Sequence, residues 1–501
     1  MKTVAMTAGY ELLHDDNAPV TSAIIAGIIS TWIATFLAAA DSTITSTLSA
    51  TIANEFNSLS IISWLGTGYL IGLTATQPLS GKLSDIFGRR ATFCCACGMF
   101  TIGNLVCGLS GSRAILIAAR VVTGIGGGGC ISIATFIASD NIPLKRRGIW
   151  QGTGAVVYTA GMGLGAVIGG VVNDAVGWRW AFLGIAPVSL ISGIGVAIFV
   201  PRYTDETQGW RELLSRVDFA GAATLVTSLV LLLVGLNHDG PELVTGLFTI
   251  TVPLGIVLLV GFVWIEWRWA KEPIIPLSLF CRRTMVAACL TAWFMSMAFY
   301  ALTFYVPLYM KMLGHSTSEI GLRLLPDSIG AGLGSFLVGL IIRMTGKYGV
   351  FRYTMTLLLV LASTGFALIP AHTLWILPEV YLLCKGLGMG GALTMLILAL
   401  LHSVPHERHA TATSALYAFR STGATVGLSA ASAMFYHRMN QSMLDTGSSC
   451  EEGDQCYLDA LHGAFRLALA FASAGLVSAL FVATHHDRGY GDDGKELDEN
   501  K

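Results

Sequence analysis

The 501-residue chain is short of charge. Asp, Glu, Lys and Arg make up 12% of it, against about 25% in soluble proteins, and a water-soluble enzyme of this length is excluded on that ground. The two signs nearly cancel, leaving a net charge of −1. Neither the basic footprint of a nucleic-acid binder nor a polybasic membrane anchor is present. No Gly-x-x-x-x-Gly-Lys-Ser/Thr phosphate loop occurs, which argues against ATP-driven work by this chain alone. No nucleophile–base constellation stands out, so an enzyme is not expected. Residues 1–20 lack the basic start, apolar core and cleavage site of a secretory leader. They read as a cytosolic tail, with only an incomplete sorting pattern at Glu11-Leu12-Leu13.

Apolar sequence is what the chain has in quantity. Hydrophobic residues reach 53% and glycine 57 positions, and the mean hydropathy is +0.66. Glycine lets membrane helices approach closely. Runs of about 20 apolar residues span a bilayer, and fourteen can be read, from 23–50 to 461–484. Lys82, Arg89, Arg90, Lys145, Arg146, Arg147, Arg282, Arg283 and Lys347 crowd one set of connections, while the other set holds little beyond Arg113, Arg179, Lys311 and Arg438. Basic loops stay in the cytosol, so the even count places both termini there. The expected class is an all-α polytopic membrane protein.

The ten cysteines fall mostly in apolar runs such as Cys94-Cys95-Ala96-Cys97, where packing is the expected role. Cys450 and Cys456 lie instead in a polar loop on the far side and can close a disulfide there. Asn440-Gln441-Ser442 is a glycosylation acceptor pattern on that side, too near the preceding helix for occupancy to be expected. His402, His406 and His409 flank a turn and read as solvated residues. Neither a metal nor a cofactor is called for.

Four charges inside spans are candidates for function. Asp41 sits within Leu37-Ala38-Ala39-Ala40-Asp41-Ser42-Thr43-Ile44, where an ionised group costs ~2.5–3.5 kcal/mol and usually faces a polar cavity. A proton, a cationic substrate or both in turn would suit it. A carboxylate satisfied by Ser42, Thr43 or Thr45 and a neighbouring helix is the structural alternative. Arg120 lies in Ala119-Arg120-Val121-Val122-Thr123-Gly124. Lys385 and Arg420 lie in later spans and suit a substrate carboxylate or inter-helix pairing. Glu319, Arg323 and Asp327 recur at i, i+4, the spacing of self-pairing charges on one helix.

The loop Gly81-Lys82-Leu83-Ser84-Asp85-Ile86-Phe87-Gly88-Arg89-Arg90 resembles the signature loop of the major facilitator superfamily. Arg120 and Gly124 resemble that family's Arg-x-x-x-Gly. The run Gly161-Met162-Gly163-Leu164-Gly165-Ala166-Val167-Ile168-Gly169-Gly170 resembles its antiporter motif, with Ala166 where proline is usual. Asp41-Ser42-Thr43-Ile44 and Arg420-Ser421-Thr422-Gly423 are similar to motifs of the fourteen-helix drug:H+ antiporter branch, and Ser42–Arg90 is similar to fungal vacuolar basic amino-acid transporters.

The resemblance implies a major facilitator fold of two six-helix bundles plus a two-helix insert. Its expected parts are a tail at 1–20, bundles at 21–203 and 286–485, a linker with the insert at 204–285, and an acidic cytosolic tail at 486–501. It implies a cytosolic gate of Gly81, Asp85, Gly88, Arg89 and Arg90 with Asp140 and Arg147, and an Arg120 that assists proton transfer or orients the cavity acid. It implies a monomeric carrier in contact with lipid that exchanges protons for a basic amino acid (Lys, His or Arg) moved from cytosol to vacuole, or alternatively one that exports a cationic drug, toxin or siderophore across the plasma membrane. A non-transporting sensor on the same scaffold is the remaining alternative.

Overall fold

The computed structural model describes residues 21–58, 60–142, 144–201, 219–236, 246–268, 282–345, 349–370, 376–404, 409–446 and 455–482. Both terminal tails and Cys450 lie outside them. The described elements are all helices. The first group is α1 (Ser22–Glu55), α2 (Ser60–Phe87), α3 (Arg89–Leu109), α4 (Arg113–Asn141), α5 (Leu144–Val176) and α6 (Trp178–Phe199). Two helices follow, α7 (Phe219–Leu236) and α8 (Gly246–Arg268). The last group is α9 (Arg283–Met312), α10 (Thr317–Arg323), α11 (Leu325–Thr345), α12 (Gly349–Ala367), α13 (Leu377–Ser403), α14 (His409–Thr446) and α15 (Gln455–Ala479).

Among the described residues 11 helical segments are long and apolar enough to cross a membrane, α10 and α11 counting as one. The fourteen read from sequence included α2, α7 and α14, which fall short. For α2 and α14 the reason is physical. Both carry hydroxyls along the faces they turn toward each other, and Thr74 and Thr425 meet there at 3.3 Å. Polar residues shielded by protein lower a helix's hydropathy without exposing it to lipid. Large apolar side chains such as Ile191, Val257, Trp267 and Leu368 point outward instead.

Packing repeats between the two groups. In the first, α1 packs on α5 and α6, α4 on α2 and α3, and α3 on α6; in the last, α9 packs on α14 and α15, α13 on α11 and α12, and α12 on α15. Between groups, α5 meets α10 and α11 while α2 meets α14. Helices α7 and α8 pack on each other, and Leu225 and Leu229 of α7 receive Leu79 of α2.

Two glycines turn corners that other residues resist. Gly88, between α2 and α3, has φ 87°, and Gly177, between α5 and α6, has φ 94°. Only glycine adopts that region without strain. The second corner aims Trp178 and Arg179 at the end of α1. The Trp178 indole donates to Glu55 Oε2 at 2.5 Å, and Arg179 Nη2 donates to Glu55 Oε1 at 2.7 Å.

The glycine run of α5 serves two neighbours. A Cβ at Gly165 would lie 2.5 Å from Ala40 Cα of α1, and one at Gly170 would lie 2.5 Å from the Thr317 carbonyl oxygen of α10. One glycine thus seats α5 inside its own group and the other against the opposite group. Beyond them, Asp174 Oδ2 accepts from the Ser318 backbone N–H at 3.0 Å and from its hydroxyl at 2.5 Å. These contacts lie at the end of the molecule away from Gly81–Arg90. There they hold the two groups together.

Candidate functional site

Asp41 lies midway along α1 and Arg120 in the third turn of α4, both at 0% side-chain exposure. Arg120 Nη1 donates to Asp41 Oδ2 at 2.7 Å, and its Nε donates to the Leu65 carbonyl at 3.3 Å. The guanidinium stands 4.7 Å from the ring centre of Tyr69 and 5.7 Å from that of Phe182. Two of the hydroxyls near Asp41 are otherwise engaged: Thr43 donates to the Ala40 carbonyl and Thr45 to the Asp41 carbonyl. Asp41 Oδ1 and Arg120 Nη2 have no partner among the described residues. Arginine cannot lose its proton in a protein, so the carboxylate is the member of this pair that can change charge.

The last group holds a second buried pair. Lys385 Nζ, on α13, donates to Asp327 Oδ2 of α11 at 2.8 Å and to Thr303 Oγ1 of α9 at 2.9 Å. The ammonium lies 4.2 Å from the centre of the Phe299 ring. This changes two sequence expectations. Lys385 is not a cation left free to balance Asp41 across a cavity. Asp327 also leaves the i, i+4 set with Glu319 and Arg323, because Pro326 lacks the N–H needed to continue α10 and the helix restarts as α11. Arg323 instead pairs with Glu379 of α13 at 2.7 Å, and Glu319 forms a capping box with Ser316.

Arg420 of α14 has no carboxylate partner among the described residues. Its guanidinium is 5.8 Å from the ring centre of Tyr158 on α5. Tyr158, Tyr300 of α9 and Tyr417 are its neighbours. The half-buried Arg420 and Tyr158 come from opposite helix groups. Tyr69, beneath Arg120, stands near Tyr158 and Tyr300. A layer of phenols therefore joins the Asp41–Arg120 pair to Arg420. Tyr158 was invisible in the sequence, since a tyrosine in an apolar run has no distinguishing pattern. Asp327 was detectable by the logic that found Asp41, an acid inside a span.

At the other end, Arg89 Nη1 contacts Asp85 Oδ1 at 2.6 Å and Arg89 Nε contacts Asp140 Oδ2 at 2.9 Å. Arg89 also donates to the Ser84 hydroxyl and lies 5.1 Å from the Phe136 ring centre. Arg90 donates to the Val200 carbonyl at 3.4 Å. These contacts tie α2, α3, α4 and the end of α6 within one group. Nothing is described of the Arg147 side chain. Gly161 and Gly169 approach α1 as Gly165 does. Asn440 is in α14, and Cys456, in the first turn of α15, is disulfide-bonded.

The profile of the Major Facilitator Superfamily matches residues 31–428. The chain belongs to that superfamily and is a multi-pass membrane transporter, not an enzyme. Among its relatives, the "Multidrug resistance protein fnx1" of Schizosaccharomyces pombe is 35% identical over 75% of this chain and 72% of its own length. The "Vacuolar membrane amino acid uptake transporter fnx2" of the same organism is 31% identical over 86% and 79%. "Efflux pump dotC" of Dothistroma septosporum is 28% identical over 86% and 79%. Among solved structures, an inward-facing, unoccupied bacterial homolog of the human lysosomal transporter Spinster aligns with TM-score 0.64 and 16% identity, covering 93% of this chain and 97% of its own. The D-xylose–proton symporter aligns at 0.60 with 15% identity, over 92% and 97%. At those identities they speak for the fold.

Proposed function

We propose that this chain is a proton-coupled antiporter that moves basic amino acids from the cytosol into the vacuole. The observation that carries the reading is Arg420, a guanidinium at the meeting of the two helix groups with phenols around it and no carboxylate partner among the described residues. A half-buried cation of this kind, facing the other helix group, suits an anion. An amino acid's α-carboxylate supplies one, with hydrogen bonds from Tyr158 and Tyr300. The substrate's cationic end then lies toward Asp41, whose free Oδ1 can accept from it. Protonation of Asp41 releases that cation, so substrate and proton exclude each other at one carboxylate. Arg120 keeps the acid in place and holds its own charge throughout.

The architecture in this reading is fourteen spans in two six-helix bundles, 21–203 and 286–485, with the insert within 204–285. The Gly81–Arg90 loop and both tails face the cytosol. The contacts of Gly170 and Asp174 then close the lumenal end, and the substrate reaches the site from the cytosol. Cys456 faces the lumen, where Cys450 is the proposed partner. One pH unit supplies ~1.4 kcal/mol per proton, and a potential of 100 mV adds ~2.3 kcal/mol per charge.

A second reading, export of cationic drugs across the plasma membrane by the same cycle, draws on the 35% identity to a relative named for multidrug resistance. Uptake of labelled lysine, arginine and histidine into sealed vesicles with an acidic lumen separates the two. Accumulation that collapses with the pH gradient is expected. Cationic dye transport without amino-acid uptake would transfer the assignment to the second reading.

A further inference from the structure

The proposed cycle uses one acid, yet the last helix group contains another with the same surroundings. Asp41 and Asp327 each have one oxygen on a cation and one with no partner. Each cation has further supports that carry no charge. For Arg120 they are the Leu65 carbonyl and the Tyr69 and Phe182 faces; for Lys385 they are the Thr303 hydroxyl and the Phe299 face. Such supports satisfy the remaining donors of a buried cation whether or not its acid is charged. A pair whose acid becomes neutral needs them, because its cation must then stay buried alone.

We propose that Asp327, held by Lys385, is a second proton-exchange site, so that the antiporter moves two protons per substrate. This rests on the antiport reading above. The step balances simply. A lumenal proton binds Asp327 Oδ1, the carboxylate becomes a neutral carboxylic acid, and the pair gains one positive charge. The Lys385 ammonium then rests on Thr303 and Phe299. On the cytosolic side the proton leaves to water and the ion pair closes again.

Access follows from where the pair sits. Ser328, the next residue of α11, comes within 2.9 Å of a Cβ built at Gly163 of α5, so the helical turn that carries Asp327 borders the seam between the groups. The Phe299 ring packs against Tyr300, ring centres 5.5 Å apart, and Tyr300 reaches Arg420. Among the described residues the charge that acts on Asp327 is Lys385. On the flanking helices Arg323 and Glu379 are paired with each other, and α5 and α9 bring the phenols of Tyr158 and Tyr300.

The purified protein in proteoliposomes, with the membrane potential clamped at zero, gives the proton count from lysine accumulation against the imposed pH difference. Two protons make the limiting ratio rise about a hundredfold per pH unit and one proton about tenfold. The wild type is expected to show the steeper slope, and Asp327→Asn with Lys385→Met, which removes both charges together, the shallower one. A wild-type slope of tenfold, or an unchanged steep slope in the double variant, overturns the proposal. Infrared difference spectra between acidic and neutral pH provide an arm that needs no substrate. Wild type should show a carboxylic C=O band that is missing in Asp327→Asn and in the double variant. An identical spectrum in wild type and both variants also overturns it. If the wild type accumulates no basic amino acid, the substrate assignment fails and the infrared arm alone decides Asp327.

Discussion

The two halves of this transporter solve one problem with different cations. In the first group Arg120 joins Asp41 through one nitrogen and the Leu65 carbonyl through another. In the last group a single ammonium, Lys385, serves both Asp327 and Thr303. A guanidinium is planar, always charged and fixed in direction; an ammonium is a point charge on a flexible stem. The first pair is therefore the more rigid and the last the more adaptable. The meeting point between them holds Arg420 without an acid of its own among the described residues. Cations outnumber acids at this level, and a substrate carboxylate would restore the balance.

The largest effect that can break this comparison is expected at Asp41. Asp41→Asn should bring pH-driven accumulation down to parity with the outside while the protein still reaches its membrane, as measured by tracer uptake and fluorescence localisation. Normal uptake would remove Asp41 from the cycle. Arg120→Leu should follow. Leaving a buried charge unpaired costs ~3–5 kcal/mol, so thermal unfolding in detergent should drop steeply, and Arg120→Leu with Asp41→Asn should recover most of the loss. Equal damage in the single and double variants would mean that Arg120 matters for something other than its pairing.

A smaller contrast separates the two faces of α5. Gly165→Val forces the helix away from Ala40 and should destabilise the fold by ~1–3 kcal/mol. Gly170→Val acts on the contact with Thr317 between the groups. It should leave thermal stability nearly intact and shift the protein away from this closed end, read as increased thiol labelling of a Ser318→Cys reporter in the Gly170→Val background. The smallest effect is expected at Glu55. Its contact with Arg179 is half-exposed, 42% and 39%, and exposed ion pairs contribute at most about 1 kcal/mol. Glu55→Gln should therefore shift thermal unfolding only slightly.

The family could be read before any coordinates, because the loop at Gly81–Arg90 combines a turn that needs glycine at Gly88 with charges at fixed spacing. Asp41 was equally legible, since an acid in an apolar run has few reasons to be there. The spans were only partly legible. Helices α2 and α14 turn polar faces toward each other, and a linear hydropathy reading cannot see which neighbour covers a threonine. Partners were beyond the sequence altogether. Arg120 and Asp41 are distant in the chain, Asp327 looked like a member of a local i, i+4 set, and Lys385 looked free.

By itself the sequence determined what must be buried in a membrane and which few charges had to be justified there, because desolvation depends on residue type and local run. Tertiary structure decided which charge answers which. That outcome depends on helices brought together from far along the chain, on the break at Pro326, and on glycines that let α5 touch both groups.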